Sequence, residues 1–390
     1  MRAATASFDT ISHPLTTELS ETSTVDKVPP GVTLILMRFA GLRNERATAS
    51  KQYREGHFHN TAPIKAGLQS GSQGGVMKEF LFGGKKRKPP GAIPIDSPLS
   101  AWATSVQSGF RATWLGHSTV LLEVDGLRVL TDPVFGYRLG PVSFAGPKRF
   151  HAAPVTIEQL PPLDAVIVSH DHYDHLCKAT IVELAKREVP FITSLGVGAH
   201  LEKFGVKPEN IHELDWWEAF DVNADLRFTA TPSQHFSGRL GSGRDTTLWS
   251  SWVIESPTQR IFFSGDTGLT DEFVDIKNKF GSFDLTMLEV GAWHPAWGRI
   301  HLGPQNALEA FAMLGGGTLL PVHWCTFDLG LHPWAEPAEQ LLAFAKQSGA
   351  RILTPQIGRP FEPAHVDGPV PWWRDVTAPV QTEVRLAAAE

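Results

Sequence analysis

Six residues, His170-Asp171-His172-Tyr173-Asp174-His175, follow directly on the apolar stretch Ala165–Ser169. A short valine- and isoleucine-rich run bounded by polar residues reads as a buried strand. Three imidazoles and two carboxylates in the turn leaving such a strand aim toward one point, as a metal ion requires of its ligands. The bland alternative is a polar surface turn, but nothing about a surface turn calls for H-x-H-x-D-H. The motif therefore demands a fold that gathers further ligands at the edge of a sheet.

Three other strand ends carry candidate donors. His235 follows the strand Leu226–Thr231, Asp266 follows Arg260–Ser264, and His323 follows Thr318–Val322. Singly, each would more often be a capping or hydrogen-bonded residue; together with the motif they form a set. Seven donors exceed one tetrahedral ion and suit two. His170, His172 and His235 would hold the first, and Asp174, His175 and His323 the second. Asp266 would bridge them, because a carboxylate has two oxygens and its charge offsets cation repulsion. Such ions, about 3.5–4 Å apart, can share a hydroxide and clamp the attacking and leaving oxygens of a displacement. Mixed imidazole and carboxylate ligands suit zinc, iron or manganese, and a nitrogen-rich set favours two Zn²⁺.

The rest of the chain is consistent with a hydrolytic enzyme. With 42% hydrophobic and 19% charged residues among 390, it can bury a large core. A formal charge of −6 and a pI near 6.2 argue against nucleic acid as a default partner. Cys177 and Cys325 cannot make a disulfide framework, and the apolar stretch at 32–37 is too short to span a membrane. Residues 1–95 read as a partly disordered N-terminal extension, with a Gly/Ser patch at 67–75 and the basic run Lys85-Lys86-Arg87-Lys88 as a solvated linker. Residues 96–375 read as one domain and 376–390 as a tail. Thr119–Val124 and Leu127–Thr131 flank Asp125-Gly126, a strong hairpin signal. Further strands are expected at 251–255 and 284–289, and helices at 178–187, 198–204, 304–313 and 337–347. Hairpins followed by strands alternating with helices imply an α/β (α+β) chain of packed sheets covered by helices.

In this order the motif, the later histidine, Gly265-Asp266-Thr267-Gly268 and the final histidine resemble the metallo-β-lactamase superfamily. Thr113–Thr119, Leu130–Phe135, Gly146–Phe150, Glu213–Glu218 (ELDWWE), Thr231–His235 (TPSQH) and His323-Trp324 narrow the resemblance. Within the superfamily they point to the N-acylphosphatidylethanolamine-hydrolysing phospholipases D and their bacterial relatives. The resemblance implies a four-layer αββα sandwich with a dinuclear site at one edge, and the same seven ligands. It implies active-site roles for Asp132, accepting a proton from a ligand imidazole, and for His301, near the reacting phosphate. His117 lies in a matching segment with a structural hydrogen bond as the competing role. Cys177 and Cys325 depart from the family pattern, as does the segment 289–299 from the mammalian enzymes.

The expectation is a zinc-dependent phosphodiesterase of the phospholipase D type, acting on N-acylphosphatidylethanolamine-like glycerophospholipids through a metal-bridging hydroxide. Two alternatives stand beside it: a metal-dependent lactonase or small-ester hydrolase, and an inactive metal-stabilised regulatory or lipid-binding protein. The intact donor set weighs against the last. A lipid or small-molecule substrate, a cytoplasmic location and peripheral membrane contact through Trp293, Trp297 or residues 85–88 go with this reading. The oligomeric state stays open, a homodimer included.

Overall fold

The computed structural model describes residues 41–64, 69, 73–82, 86–142, 144–241 and 243–377. The disordered tail and the apolar stretch expected before residue 40 lie outside them, as do Lys85, much of the Gly/Ser patch and the C-terminal tail beyond residue 377. After a helix over residues 41–49 comes a small hairpin, β1 (Tyr53–Arg54) with β2 (His57–Phe58). Three strands then form a meander: β3 (Phe110–Gly116), β4 (Thr119–Val124) and β5 (Leu127–Thr131). Asp125 and Gly126 both take positive φ, 49° and 84°. This is the turn whose twist matches paired strands, and it sets the Val124↔Leu127 register. Parallel strands follow: β6 (Ala165–Val168), β7 (Phe191–Ser194) and β8 (Ile211–Leu214).

The second sheet repeats this plan. β9 (Ala219–Asn223) and β10 (Leu226–Thr231) form a hairpin; β11 (Gly238–Arg239) and β12 (Gly243–Arg244) form a separate small one. β13 (Ser251–Glu255) joins β10 and β14 (Arg260–Phe263) antiparallel, and β15 (Leu285–Glu289) and β16 (Leu319–Val322) continue in parallel. With β17 (Pro360–Phe361) on its edge, the first sheet runs β17-β3-β4-β5-β6-β7-β8 and the second β16-β15-β14-β13-β10-β9.

Alternating side chains separate the layers. Trp114, Val120, Leu122 and Ile167 meet Phe228, Trp252 and Ile254 of the other sheet. The intervening Leu121, Leu130, Val166 and Val168 point outward to Ile181, Leu184 and Leu201 on the helices Lys178–Leu184 and Gly198–Lys203. The helices Glu272–Phe280, Gly303–Met313 and Glu336–Ser348 cover the second sheet. The result is the expected αββα sandwich. The strands and helices expected from sequence occur within two or three residues of their anticipated bounds, whereas β3, β7, β8, β9 and the helices over 41–49, Gln73–Phe82 and Glu272–Phe280 are among the elements not foreseen.

Residues 41–64, on the N-terminal side of the boundary expected at 96, pack onto this body as a strap. Arg43 pairs with Glu202 and with Glu213 (2.6 Å), Arg46 pairs with Glu218, and Phe58 is buried against Leu195, Trp216 and Trp249. The ELDWWE segment is thus the dock for the strap.

The loop after residue 148 pins the β3–β4 turn. Arg149 donates to the carbonyls of Val134 and Leu115, and His151 donates from Nδ1 to the Ala152 carbonyl (2.7 Å), leaving Nε2 for the Thr326 hydroxyl (3.3 Å). Burial and the adjacent Arg149 push the His151 imidazole down to about 3. Between that value and the ordinary ~6.5 the unfolded chain binds one more proton than the folded one. Stability contributed by a neutral His151 is therefore intact above pH ~6.5 and falls as pH drops, by up to ~1.4 kcal/mol per pH unit. In urea unfolding at pH 7 and pH 5, His151→Gln should lose less stability between the two than the parent chain, by about 2 kcal/mol. An unchanged difference would count against this assignment.

Candidate metal centre

β5 and β6 run in one direction in the first sheet, as do β10, β14, β15 and β16 in the second, and the loops at their carboxyl ends meet at one edge of the sandwich. Every residue expected at the site emerges there. His170 Nε2 lies 2.9 Å from His172 Nδ1, and His235 Nε2 lies 3.2 Å from the same atom. His170, His172, His235 and Asp266 thus form one cluster of converging ligand atoms. Asp174 Oδ2 lies 3.3 Å from His323 Nε2 and 3.6 Å from His175 Nε2, forming a second. Asp266 stands between the two. Its Oδ1 is 3.2 Å from both His175 Nε2 and His323 Nε2, while Oδ2 faces His235 at 3.7 Å and His170 at 3.9 Å.

The donor chemistry fits a pair of cations. His175 Nε2 and Asp266 Oδ1 are buried and face each other without a hydrogen-bond partner. Bringing such groups together out of water is costly unless a further charge joins them. Burial drives His170 and His235 well below the ordinary histidine value, so both offer lone pairs. Burial opposes charge on His175 and His323 as well, but the surrounding carboxylates outweigh it. Asp266 heads those carboxylates; His175 is held well above its usual value and His323 near 10. Burial also disfavours charge on Asp174 and Asp266, yet their histidine neighbours keep both carboxyls well below the usual range. This is a pocket of negative charge balanced by whatever cation is present.

Behind these atoms lies a set of orienting contacts. Asp132, left-handed at φ 31° and fully buried, accepts from His175 Nδ1 (2.6 Å), from the Ser169 amide (2.7 Å) and from the Ser169 hydroxyl (2.6 Å). His175 Nε2 is thereby turned toward Asp266. His235 donates from Nδ1 to the Ile300 carbonyl (2.8 Å). Non-glycine residues at positive φ, which are costly unless the surroundings impose them, include His117, Asp132, Ala292, His323 and Cys325.

His301 lines the same cavity, 5.1 Å from the His235 ring between centroids. Its Nδ1 is held by Glu289 (2.8 Å), a carboxylate that the sequence reading passed over as the last residue of an apolar strand. Glu289 also accepts from the Thr267 and Leu302 amides. Burial lowers and Glu289 raises the His301 pKa, with a net upward shift. The only sequence hint of Glu289 was an acidic residue ending a buried strand beside a Gly-Asp-Thr-Gly strand. His117, whose role the sequence left open, joins Asp174 through Nε2 (3.0 Å), its ring falling with the Asp174, His175 and His323 donors, while its carbonyl accepts from the His323 amide (3.0 Å).

The cavity above the centre holds about 420 Å³, and its apolar wall includes Val76, Phe236, Trp297, Ile300 and Leu329. Trp297 is therefore part of the wall, and Trp293 is half-buried against His332, so neither is an exposed rim. Arg87 of the basic run faces Asp328 at 3.7 Å. Cys177 stands at the N-terminal cap position of the helix after the motif without a side-chain capping bond, and burial pushes the Cys325 thiol well above its usual range, leaving it a poor nucleophile.

The TPSQH and GDTG segments interlock. Ser233 donates to the Asp266 carbonyl (2.7 Å), the Gln234 main-chain amide donates to the Thr267 hydroxyl (2.9 Å), and the Gln234 side-chain amide donates to the Arg299 carbonyl (2.8 Å). Gly268 permits this approach, since a Cβ there would sit 1.9 Å from the Arg299 oxygen. Gly268→Ala should lower stability by about 2–3 kcal/mol through displaced backbone, measured by chemical denaturation. A melt like that of the parent chain would contradict it.

The β-lactamase superfamily domain matches residues 127–324. An uncharacterized protein of Mycobacterium tuberculosis is 43% identical over 333 residues, covering 83% of this chain and 88% of that protein. The N-acyl-phosphatidylethanolamine-hydrolyzing phospholipase D 1 of Caenorhabditis elegans is 34% identical over 247 residues, 60% of this chain and 69% of that protein. Among solved structures, the isothiocyanate hydrolase from Delia radicum gut bacteria aligns with a TM-score of 0.51 at 24% identity, covering 65% of this chain and 98% of that one. That last likeness concerns the fold alone. Two donor clusters at the shared edge of an αββα sandwich agree with these matches, and the chain belongs to the metallo-β-lactamase superfamily of hydrolases.

Proposed function

We propose that this hydrolase is a zinc-dependent phosphodiesterase of the phospholipase D type, acting on N-acylphosphatidylethanolamine-like glycerophospholipids. The observation that carries the reading is the placement of Asp266 between two donor clusters at the floor of an apolar-walled cavity. The names of the C. elegans relative and of a Saccharomyces cerevisiae relative, 35% identical over 258 residues, support the substrate class. A pair of zinc ions held by the two clusters would bring the pKa of a bound water down to about 7 and neutralise charge building on phosphorus.

The protein's own residues would do the rest. Asp132, through His175, and Ile300, through His235, fix which imidazole nitrogen faces the centre. His301, whose Nδ1 is held by Glu289 and whose pKa that carboxylate raises against the effect of burial, would use Nε2 to donate to a phosphoryl oxygen or to the departing alkoxide. In the overall reaction water's oxygen joins phosphorus and the P–O bond to the N-acylethanolamine breaks. That alcohol leaves with a proton, and phosphatidate remains. The apolar wall would hold an acyl chain.

Among the described residues no helix is long and apolar enough to cross a membrane. Exposed apolar side chains occur on two loops, Leu240 (82% exposed) beside the metal motif and Phe144 (79%) on the loop after Leu139. The amide of Leu240 donates to the Tyr173 hydroxyl within the metal motif, and Arg138 and Lys148 lie against Tyr137 on the loop bearing Phe144. Such a mixed apolar and basic rim suits contact with a lipid surface.

The deciding experiment incubates zinc-loaded protein with N-acylphosphatidylethanolamine vesicles and, separately, with a lactone panel, with and without chelator. Chelator-sensitive release of N-acylethanolamine and phosphatidate, measured by mass spectrometry, is expected. Rapid lactone opening with an untouched phosphodiester would replace this reading with a lactonase, and tight lipid binding without turnover would make the protein a binding module.

A further inference from the structure

We infer that Asn60, on the N-terminal strap, is a positioning residue for the His235 arm of the centre; this rests on the dinuclear reading above. His235 lies four residues beyond the end of β10, where no neighbouring strand pairs its main chain. It is fully buried, so its amide and carbonyl both need protein partners. One side chain supplies both. Asn60 Oδ1 accepts from the His235 amide (3.0 Å), and Asn60 Nδ2 donates to the His235 carbonyl (2.8 Å). The same Oδ1 accepts from the Trp249 indole (3.1 Å), which also donates to the Ser233 carbonyl (3.0 Å). The His235 ring is meanwhile fixed by the Ile300 carbonyl, so Asn60 completes a three-point hold on this residue.

The strap is itself anchored on both sides of Asn60. Phe58 is buried in an aromatic cluster with Trp216 and Trp249, and Thr61 donates to Glu272 (2.5 Å). Farther back, Arg43 and Arg46 bind the carboxylates of Glu202, Glu213 and Glu218. The amide of Asn60 is therefore presented to His235 by a segment with fixed ends. Asparagine suits the task because it carries a donor and an acceptor on one planar group, matching a main-chain amide and carbonyl. Aspartate would keep the acceptor and lose the donor; alanine would lose both.

The test uses the full chain and measures metal rather than turnover alone. Zinc affinity by chelator competition, and the absorption spectrum with Co²⁺, are compared for parent, Asn60→Ala, Asn60→Asp and Arg46→Ala. The parent should bind two equivalents. Asn60→Ala should weaken one of them by about 10–100-fold, the range typical of contacts that orient a ligand, and shift the spectrum of one equivalent. Asn60→Asp should weaken the same site, and it carries the test if the alanine variant does not fold. Arg46→Ala, which loosens the strap without touching Asn60, should leave both sites intact. Two equivalents at parental affinity in the Asn60 variants, with only the melting temperature moved, would overturn the inference. Equal weakening in Arg46→Ala would also overturn it, since general loosening would then suffice. A parent chain that binds no metal pair would instead sink the dinuclear reading on which this one stands.

Discussion

Asp266→Asn should abolish turnover, lowering kcat by about a thousandfold, while the far-ultraviolet circular dichroism stays that of the folded parent. The scale follows from losing one preorganised charge at the reacting centre, which costs about 10²–10³-fold even for a single neutral donor. Here the loss reaches further. Two dications about 4 Å apart repel by on the order of 16 kcal/mol at an effective dielectric near 20. Asp266 is placed to offset that repulsion, with one oxygen 3.2 Å from His175 and His323 and the other 3.7 Å from His235. An amide of equal size keeps the packing and removes the charge. Metal analysis should accordingly find about two equivalents per parent chain and one or fewer in the variant. Two equivalents retained, with turnover, would contradict the bridge.

Asp132→Asn should act through both stability and metal affinity. The carboxylate is buried, and its three hydrogen bonds come from His175 and from two groups of Ser169. Burial pushes its carboxyl upward, and the His175 imidazole and Ser169 offset part of that shift. An asparagine must aim its NH₂ at one of these donors, which leaves a buried clash or an unpaired group. Denaturation in the presence of chelator should show a loss of about 3 kcal/mol. Zinc competition should show the site containing His175 weakened by about 10–100-fold. Running the unfolding with chelator separates the two effects. A variant with parental affinity and reduced stability would leave Asp132 a purely structural residue.

The sequence revealed those parts of the molecule that depend on neighbours along the chain. The Asp125-Gly126 hairpin is specified by two residues that tolerate positive φ. The seven donors are legible because each follows a strand, and parallel strands bring their ends to one edge whatever the intervening loops do. β7, β8 and β9 escaped notice because they are four or five residues long and carry mixed side chains, so no period rises above the background. Glu289 was hidden for a different reason. It ends an apolar strand, and its role depends on His301, a residue reached only after the 295–297 turn folds back. Asn60 lies 175 positions from His235, in the stretch expected to be an N-terminal extension, and no local pattern encodes that distance. His117 was ambiguous in sequence because its main chain and its ring perform separate tasks, one for the His323 loop and one for Asp174.

The bridging aspartate and the closing histidine come from the second sheet, whereas the H-x-H-x-D-H turn comes from the first. The cluster of His170, His172, His235 and Asp266 and the cluster of Asp174, His175 and His323 therefore each draw on both halves of the polypeptide. On the dinuclear reading the motif would emerge from the ribosome before its counterparts, and the first cluster could not be completed until Asp266 had been translated, nor the second until His323 had. Capture of the ions would then be a late event in biogenesis, fastening the two halves to each other only after both exist.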